Sequence, residues 1–238
     1  MVSILCDVDG CLVPGRGEMW DFAGLSELAE RNHSREFTFA LCSSRPAPFL
    51  EAVARQLLIS DYCICENGAL LYHPLTKEAI LNPIIPQDFF KEQENIHRIL
   101  EEIIGGKEIV VEVGKSYTFS VNTINPELLP EIEPVIEERL AEAPIDISKS
   151  SRSIEIVPRG INKAEGVQFW CEITNTDPDR VLAIGDTDND LPMFSAAARS
   201  AAPANCSELV RSSVDYVSEY PMVRGVLDIY VKAKTIMD

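Results

Sequence analysis

Val2-Ser3-Ile4-Leu5-Cys6-Asp7-Val8-Asp9-Gly10-Cys11-Leu12 is a short apolar run containing β-branched residues that stops at two carboxylates two positions apart. The run predicts a buried strand. Side chains alternate faces along a strand, so Asp7 and Asp9 point the same way if the strand continues through them. Gly10 then allows the backbone to turn. In an open parallel α/β sheet, ligands bind beyond the carboxyl ends of the strands. Two acids at such an end are costly to hold together unless a cation or a proton sits between them.

A second stretch repeats the layout. Val181-Leu182-Ala183-Ile184-Gly185-Asp186-Thr187-Asp188-Asn189-Asp190-Leu191 is again an apolar run, a glycine and then carboxylates. Hard divalent cations such as Mg²⁺ take oxygen ligands, usually a few carboxylates with water and substrate phosphate. Two strand ends offering Asp7, Asp9, Asp186 and Asp190 can supply them. One acidic turn is a common surface feature; two at the ends of apolar strands point to a shared ion.

Bulk properties bound the alternatives. The 238 residues suit one large domain or a core carrying an insertion. A hydrophobic content of 46% with 25% charged residues is that of a soluble globular chain. The net charge is −17, and residues 82–157 carry 7 Lys+Arg against 15 Asp+Glu, so acidity is spread over the whole chain. That argues against a nucleic-acid partner or an anionic membrane. No apolar run reaches transmembrane length. Met1 leads directly into the first strand, which predicts no signal peptide and a cytoplasmic protein. The seven Cys (6, 11, 42, 63, 65, 171 and 206) include no CxxC pair and are expected to be free thiols used as small apolar core residues. The three His are scattered without ligand spacing. Oligomeric state leaves no mark on the sequence.

Outward from the opening strand, the pattern predicts a helix over 22–31 with Asp21 as its cap and a strand over 36–41 ending in Ser43-Ser44-Arg45. A Pro-led helix over 46–58 follows. A strand over 62–65 then ends in Glu66-Asn67-Gly68, and a hairpin joins 69–72 to 78–81. This βαβαβ order is a doubly wound start. After Asn82 the character changes to a helix over 87–104, strands over 108–113 and 117–121, a helix over 126–141 and strands over 145–147 and 153–157. Short links make neighbouring strands of this αββαββ segment antiparallel. The parallel pattern resumes with a helix from Asn162, the strand before the second acidic stretch and a closing helix over 223–236. The predicted fold is α/β: a Rossmann-like parallel core of residues 1–81 and 158–238, with a small α/β unit of residues 82–157 inserted.

In this order, the motifs resemble those of haloacid dehalogenase-superfamily phosphohydrolases, and they span nearly the whole chain. Asp7-Val8-Asp9-Gly10 resembles the first motif, DxDG; Ser43 at a strand end the second; Lys163 the third; and Gly185-Asp186 through Asn189-Asp190 the fourth, GDxxND. Glu66-Asn67-Gly68 and the αββαββ insert resemble features of members with a small C2B-type cap, such as sucrose-phosphate, mannosyl-3-phosphoglycerate and phosphoglycolate phosphatases. Three positions depart from the pattern: Ser44 and Ala164 stand where glycine is usual, and Cys11 where threonine is usual.

The resemblance implies a Mg²⁺-dependent phosphatase acting on a small phosphorylated metabolite. It assigns Asp7 as nucleophile and Asp9 as acid/base. Asp7, the main-chain carbonyl of Asp9, Asp186 and Asp190 belong to the metal site, and Ser43, Lys163 and Asn189 bind phosphate. Arg45 and Asn67 are further substrate candidates, as are Lys115, Ser116, Tyr117, Arg152 and Glu155 in the insert. The same nucleophile would serve a sugar phosphomutase. A phospho-acceptor signalling module has no need of Asp9 or of the insert, and a non-catalytic binding protein has no need of the intact charged set.

Overall fold

The computed structural model describes residues 1–15, 18–105, 108–123, 125–149 and 153–238. Arg152, Gly106 and the Arg16-Gly17 part of the first loop lie outside the described residues. Two compact units are formed, one from Met1–Leu81 with Asn162–Asp238 and the other from Asn82–Ile161.

In the first unit, β1 (Ser3–Cys6) leads to α1 (Phe22–His33), β2 (Thr38–Leu41), α2 (Ala47–Gln56), β3 (Cys63–Cys65), β4 (Leu70–Tyr72) and β5 (Ala79–Leu81). Asp21 caps α1 by accepting from the Gly24 N–H at 2.9 Å. In the second unit, α3 (Phe89–Ile104), β6 (Ile109–Val111), β7 (Phe119–Thr123), α4 (Leu129–Arg139), β8 (Ile145–Lys149) and β9 (Ser153–Pro158) follow. The sheet order is β6-β7-β9-β8 with every pair antiparallel. β7 starts at Phe119 rather than at Tyr117, where its pairing with β9 begins with Phe119 opposite Ile156. The first unit resumes with α5 (Lys163–Thr174), β10 (Val181–Ile184), α6 (Leu191–Ser195), β11 (Arg199–Ala202), α7 (Glu208–Ser213), β12 (Tyr216–Val217) and α8 (Met222–Met237).

The main sheet is wholly parallel, in the order β12-β11-β10-β1-β2. β1 and β10 lie side by side and are buried along their full length, as expected for inner strands covered on both faces. Their adjacency places the ends of the two acidic stretches next to one another. The third strand departs from the sequence expectation. β3 is not a full member of this sheet; it pairs antiparallel with β4 and touches the end of β2 through one parallel bridge, Cys42 with Ile64. All three residues of β3 pair with β4, the strand that follows it after the 66–68 turn, so this local hairpin takes the fuller pairing.

Under the sheet, Leu5, Ile64, Val167, Trp170 and Met193 form one buried cluster. Trp170 is fully buried, and its indole N–H donates to the Tyr62 carbonyl at 2.8 Å. All seven cysteines are buried free thiols, and burial pushes Cys42 and Cys63 up to about 12, which makes them packing residues and not nucleophiles. Among the described residues, no helix is long and apolar enough to cross a membrane.

Candidate active site

The strand does not continue through the opening acids. β1 ends at Cys6, and the chain turns at once, with the N–H groups of Leu12 and Val13 both donating to the Val8 carbonyl. Asp7 and Asp9 therefore meet different partners. Asp7 is buried and accepts from Lys163 Nζ at 2.9 Å, whereas Asp9 is partly exposed and pairs with Arg45. Gly10 follows at φ +86, and a Cβ there would lie 2.0 Å from Asp186 Oδ2. Only glycine allows the two acidic stretches to approach so closely.

Lys163 begins α5, whose Asn162 cap accepts from the N–H groups of Ala164 and Glu165. That cap aims the first helical side chain inward. Lys163 is buried and donates to Asp190 Oδ1 at 2.6 Å as well as to Asp7. Asp190 is wholly buried; its second oxygen accepts from the N–H groups of Asp186 and Thr187, both at 3.0 Å. Asp190 thus orients both the lysine and the turn that presents Asp186. Cys11 donates its S–H to Asp186 Oδ1 at 3.6 Å.

The electrostatics of this cluster are unbalanced. Asp7, Asp186 and Asp190 bring carboxylate oxygens within 4.8 Å of one another, all three buried, against one ammonium. Fully ionised, the group carries two uncompensated negative charges in a medium that solvates them poorly. Burial pushes Asp7 up to about 7, with Lys163 opposing the rise and Asp190 adding to it. Burial likewise pushes Asp186 up to about 8, reinforced by Asp7 and Asp190. Lys163 is also raised, which for it means a firmer charge: burial disfavours that charge, but Asp190 and Asp7 outweigh this and hold it well above its ordinary value. A divalent cation supplies the missing two charges, and an all-oxygen donor set suits a hard ion. These residues therefore fit a metal centre. The Asp9 carboxylate is outside the cluster.

The remaining candidates form the surroundings. Ser43 is buried; its hydroxyl accepts from the Arg45 N–H at 3.3 Å, and its carbonyl accepts from the Asn67 N–H at 3.1 Å. Ser44 keeps a φ outside the left-handed region, so serine carries no strain where the resemblance calls for glycine. Glu66, Asn67 and Gly68 all have positive φ, a run of left-handed backbone at the end of β3. Asn67 Oδ1 accepts from Asn189 Nδ2 at 3.3 Å, joining the 66–68 turn to the fourth motif. Gly68 packs against the first turn of α5, where a Cβ would lie 2.6 Å from the Asn162 carbonyl.

In the second unit, Lys115 is ion-paired with Glu155 at 2.9 Å, and both contact Ser120. Sequence reading missed Ser120, because its place opposite Glu155 is set by the β7–β9 register. Ser116 accepts from Gln93 through its carbonyl, and Tyr117 lies edge-on to Phe90.

A sequence model described as haloacid dehalogenase-like hydrolase matches residues 4–119 and 115–229 of this chain. A phosphoglycolate phosphatase of Methanospirillum hungatei is 26% identical over 229 residues, covering 95% of this chain and 94% of the relative. Among solved structures, Thermoplasma acidophilum 0175 superposes with a TM-score of 0.78 at 22% identity, over 98% of this chain and 99% of that one. A Synechocystis sucrose-phosphatase, solved with sucrose and phosphate, gives 0.67 at 18% identity over 98% and 97%. The parallel sheet, the adjoining acidic strand ends and a family match across most of the sequence lead to one conclusion: the chain belongs to the haloacid dehalogenase-like hydrolases.

Proposed function

We propose that this phosphatase is a Mg²⁺-dependent phosphomonoester hydrolase of the cytoplasm. Its substrate is a small phosphorylated metabolite, a sugar phosphate or a phosphoglycolate or phosphoglycerate derivative, and it works through an aspartyl-phosphate on Asp7. The observation that carries the reading is the buried group of Asp7, Asp186, Asp190 and Lys163, whose charge is incomplete without a divalent cation. Relatives that are phosphoglycolate phosphatases and a structural neighbour that is a sucrose-phosphatase support the substrate class. Seven free thiols suit a reducing compartment. In this proposal, residues 1–81 and 158–238 are the catalytic core and residues 82–157 are a cap.

Asp7, Asp186 and the main-chain carbonyl of Asp9, with Asp190 completing the carboxylate set, would hold Mg²⁺; when bound, the ion offsets the charge of the phosphoryl group. A phosphate monoester repels an anionic nucleophile, so Lys163 beside Asp7 adds positive charge where the ester arrives. The Asp7 carboxylate attacks phosphorus, the ester P–O bond breaks, and the leaving oxygen takes a proton from Asp9. Water then attacks phosphorus and gives a proton to Asp9; the bond to Asp7 breaks, releasing inorganic phosphate. The Ser43 hydroxyl and the Asn189 amide contribute hydrogen bonds to phosphate.

Phosphate release measured over a panel of sugar phosphates, phosphoglycolate and phosphoglycerates, with Mg²⁺ and with EDTA, tests the proposal. Metal-dependent hydrolysis of at least one ester is expected. Isomerisation of a sugar phosphate without phosphate release would identify a mutase instead.

The raised acids also give a pH prediction. Asp7 and Asp186 bind protons more tightly folded than unfolded, so the stability they contribute is complete below about pH 4 and is lost as pH rises through 7 to 8. Bound Mg²⁺ removes that loss, because it needs the ionised acids. Thermal unfolding with and without MgCl₂ should show a larger metal-induced rise at pH 8 than at pH 5.5. An equal rise at both values would dissociate these acids from the metal.

A further inference from the structure

Among the described residues, the side chain that holds Asp9 is that of Arg45. Arg45 Nε donates to Asp9 Oδ2 at 2.8 Å and Arg45 Nη2 donates to Asp9 Oδ1 at 2.7 Å, a parallel two-point pair. Such a pair fixes a carboxylate in rotation as well as in position, which a single donor does not do. The backbone around Asp9 is tied to Val13, through a bridge and the Gly10 N–H donating to the Val13 carbonyl at 2.7 Å, but this fixes the main chain and leaves the direction of the carboxylate to its side-chain partner.

Arg45 is itself braced. Its N–H donates to Ser43 Oγ, its carbonyl accepts from the Glu66 N–H at 3.1 Å, and its guanidinium lies 5.0 Å from the centre of the Phe49 ring, one helical turn further on. The second motif and the left-handed 66–68 turn therefore set where the guanidinium stands, and the guanidinium sets the direction of Asp9. Sequence reading placed Arg45 among the substrate contacts; the geometry gives it a different target.

We infer that Arg45 is a positioning residue that acts through Asp9 and does not grip the substrate. The inference rests on the proposed acid/base role of Asp9. Lysine is a poor replacement, because one ammonium presents a point charge where two aligned donors are needed.

The experiment compares wild type, Arg45→Gln, Asp9→Asn and the double variant, all with Mg²⁺. The substrates are p-nitrophenyl phosphate, whose phenolate leaves without a proton, and the best alkyl phosphate of the panel. Assays run at high enzyme concentration over hours, so that residual rates register. Arg45→Gln should lower kcat on the alkyl ester by about 100-fold, the scale of a misplaced acid/base. KM should stay near the wild-type value, p-nitrophenyl phosphate should lose less, and the substitution should add almost nothing in the Asp9→Asn background. Should Arg45→Gln fold poorly, Arg45→Lys, which keeps the charge, is expected to lose most of the same kcat. An Arg45→Gln loss equally large in both backgrounds, a rise in KM as the main effect, or an unchanged kcat would each overturn the inference. Asp9→Asn enzyme as active as wild type would overturn the acid/base role, and this inference with it.

Discussion

Asp7→Asn is expected to abolish turnover of every phosphate ester while making the metal-free protein more stable. Removing a nucleophile from an enzyme that forms a covalent intermediate costs about 10⁴-fold or more in rate. The amide keeps the shape of the carboxylate, so the fold has no cavity to absorb. It also removes one of three buried acids crowded within 4.8 Å. Since burial raises Asp7 to about 7, keeping it ionised at pH 8 opposes folding, and the neutral amide relieves that opposition. Lys163 retains Asp190 at 2.6 Å and is not left unpaired. Phosphate release and thermal unfolding at pH 8 with EDTA read the two halves of the result. A dead and destabilised variant would mean that Asp7 serves the fold; an active variant would remove it as nucleophile. Opposite signs for activity and stability are the mark of a site that stores unfavourable charge for its chemistry.

Lys163→Met reverses the electrostatic sign. It deletes the one ammonium among the three carboxylates and leaves them buried without a counter-charge. Breaking a buried ion pair from one side costs about 3–5 kcal/mol, which corresponds to a fall of about 10 °C in the unfolding midpoint of a chain of this size. The acids escape part of that cost by taking up protons, so the loss should be larger at pH 8 than at pH 5.5. Denaturant titration of the metal-free protein at both values checks this, and Lys163→Arg, which keeps the charge, should recover part of the difference. Hydrolysis with Mg²⁺ should fall steeply in Lys163→Met, since the positive charge beside Asp7 is gone. Unchanged stability at both pH values would mean that the buried contacts of Lys163 are energetically idle.

The site and the fold were legible in the sequence to different depths. The apolar runs before Asp7 and Asp186 mark β1 and β10, because fully buried parallel strands need continuous hydrophobic residues. Asn162 marks the start of α5 and so the place of Lys163, because an N-cap side chain has a local target. The third strand was legible as a strand but not in its pairing: Cys63–Cys65 pairs along its whole length with the neighbouring β4 and meets the main sheet through a single bridge. Asp7 and Asp9 were legible as a pair but not in their partners, since alternation holds only while a strand lasts and β1 ends at Cys6. Ser120 had no signal at all, its partner being set by the register of two strands.

By itself, the sequence determined most of the strands and helices and which carboxylates stand at strand ends, because these follow from periodicity, caps and turn residues within a few positions of each other, while the short α7 went unread. The tertiary structure alone decided which side chains share an environment. It joined Asp7, Lys163 and Asp190 in one buried cluster and paired Asp9 with Arg45. The physical reason is that contacts between distant residues depend on sheet order and on where each strand stops, and neither is encoded in any local pattern.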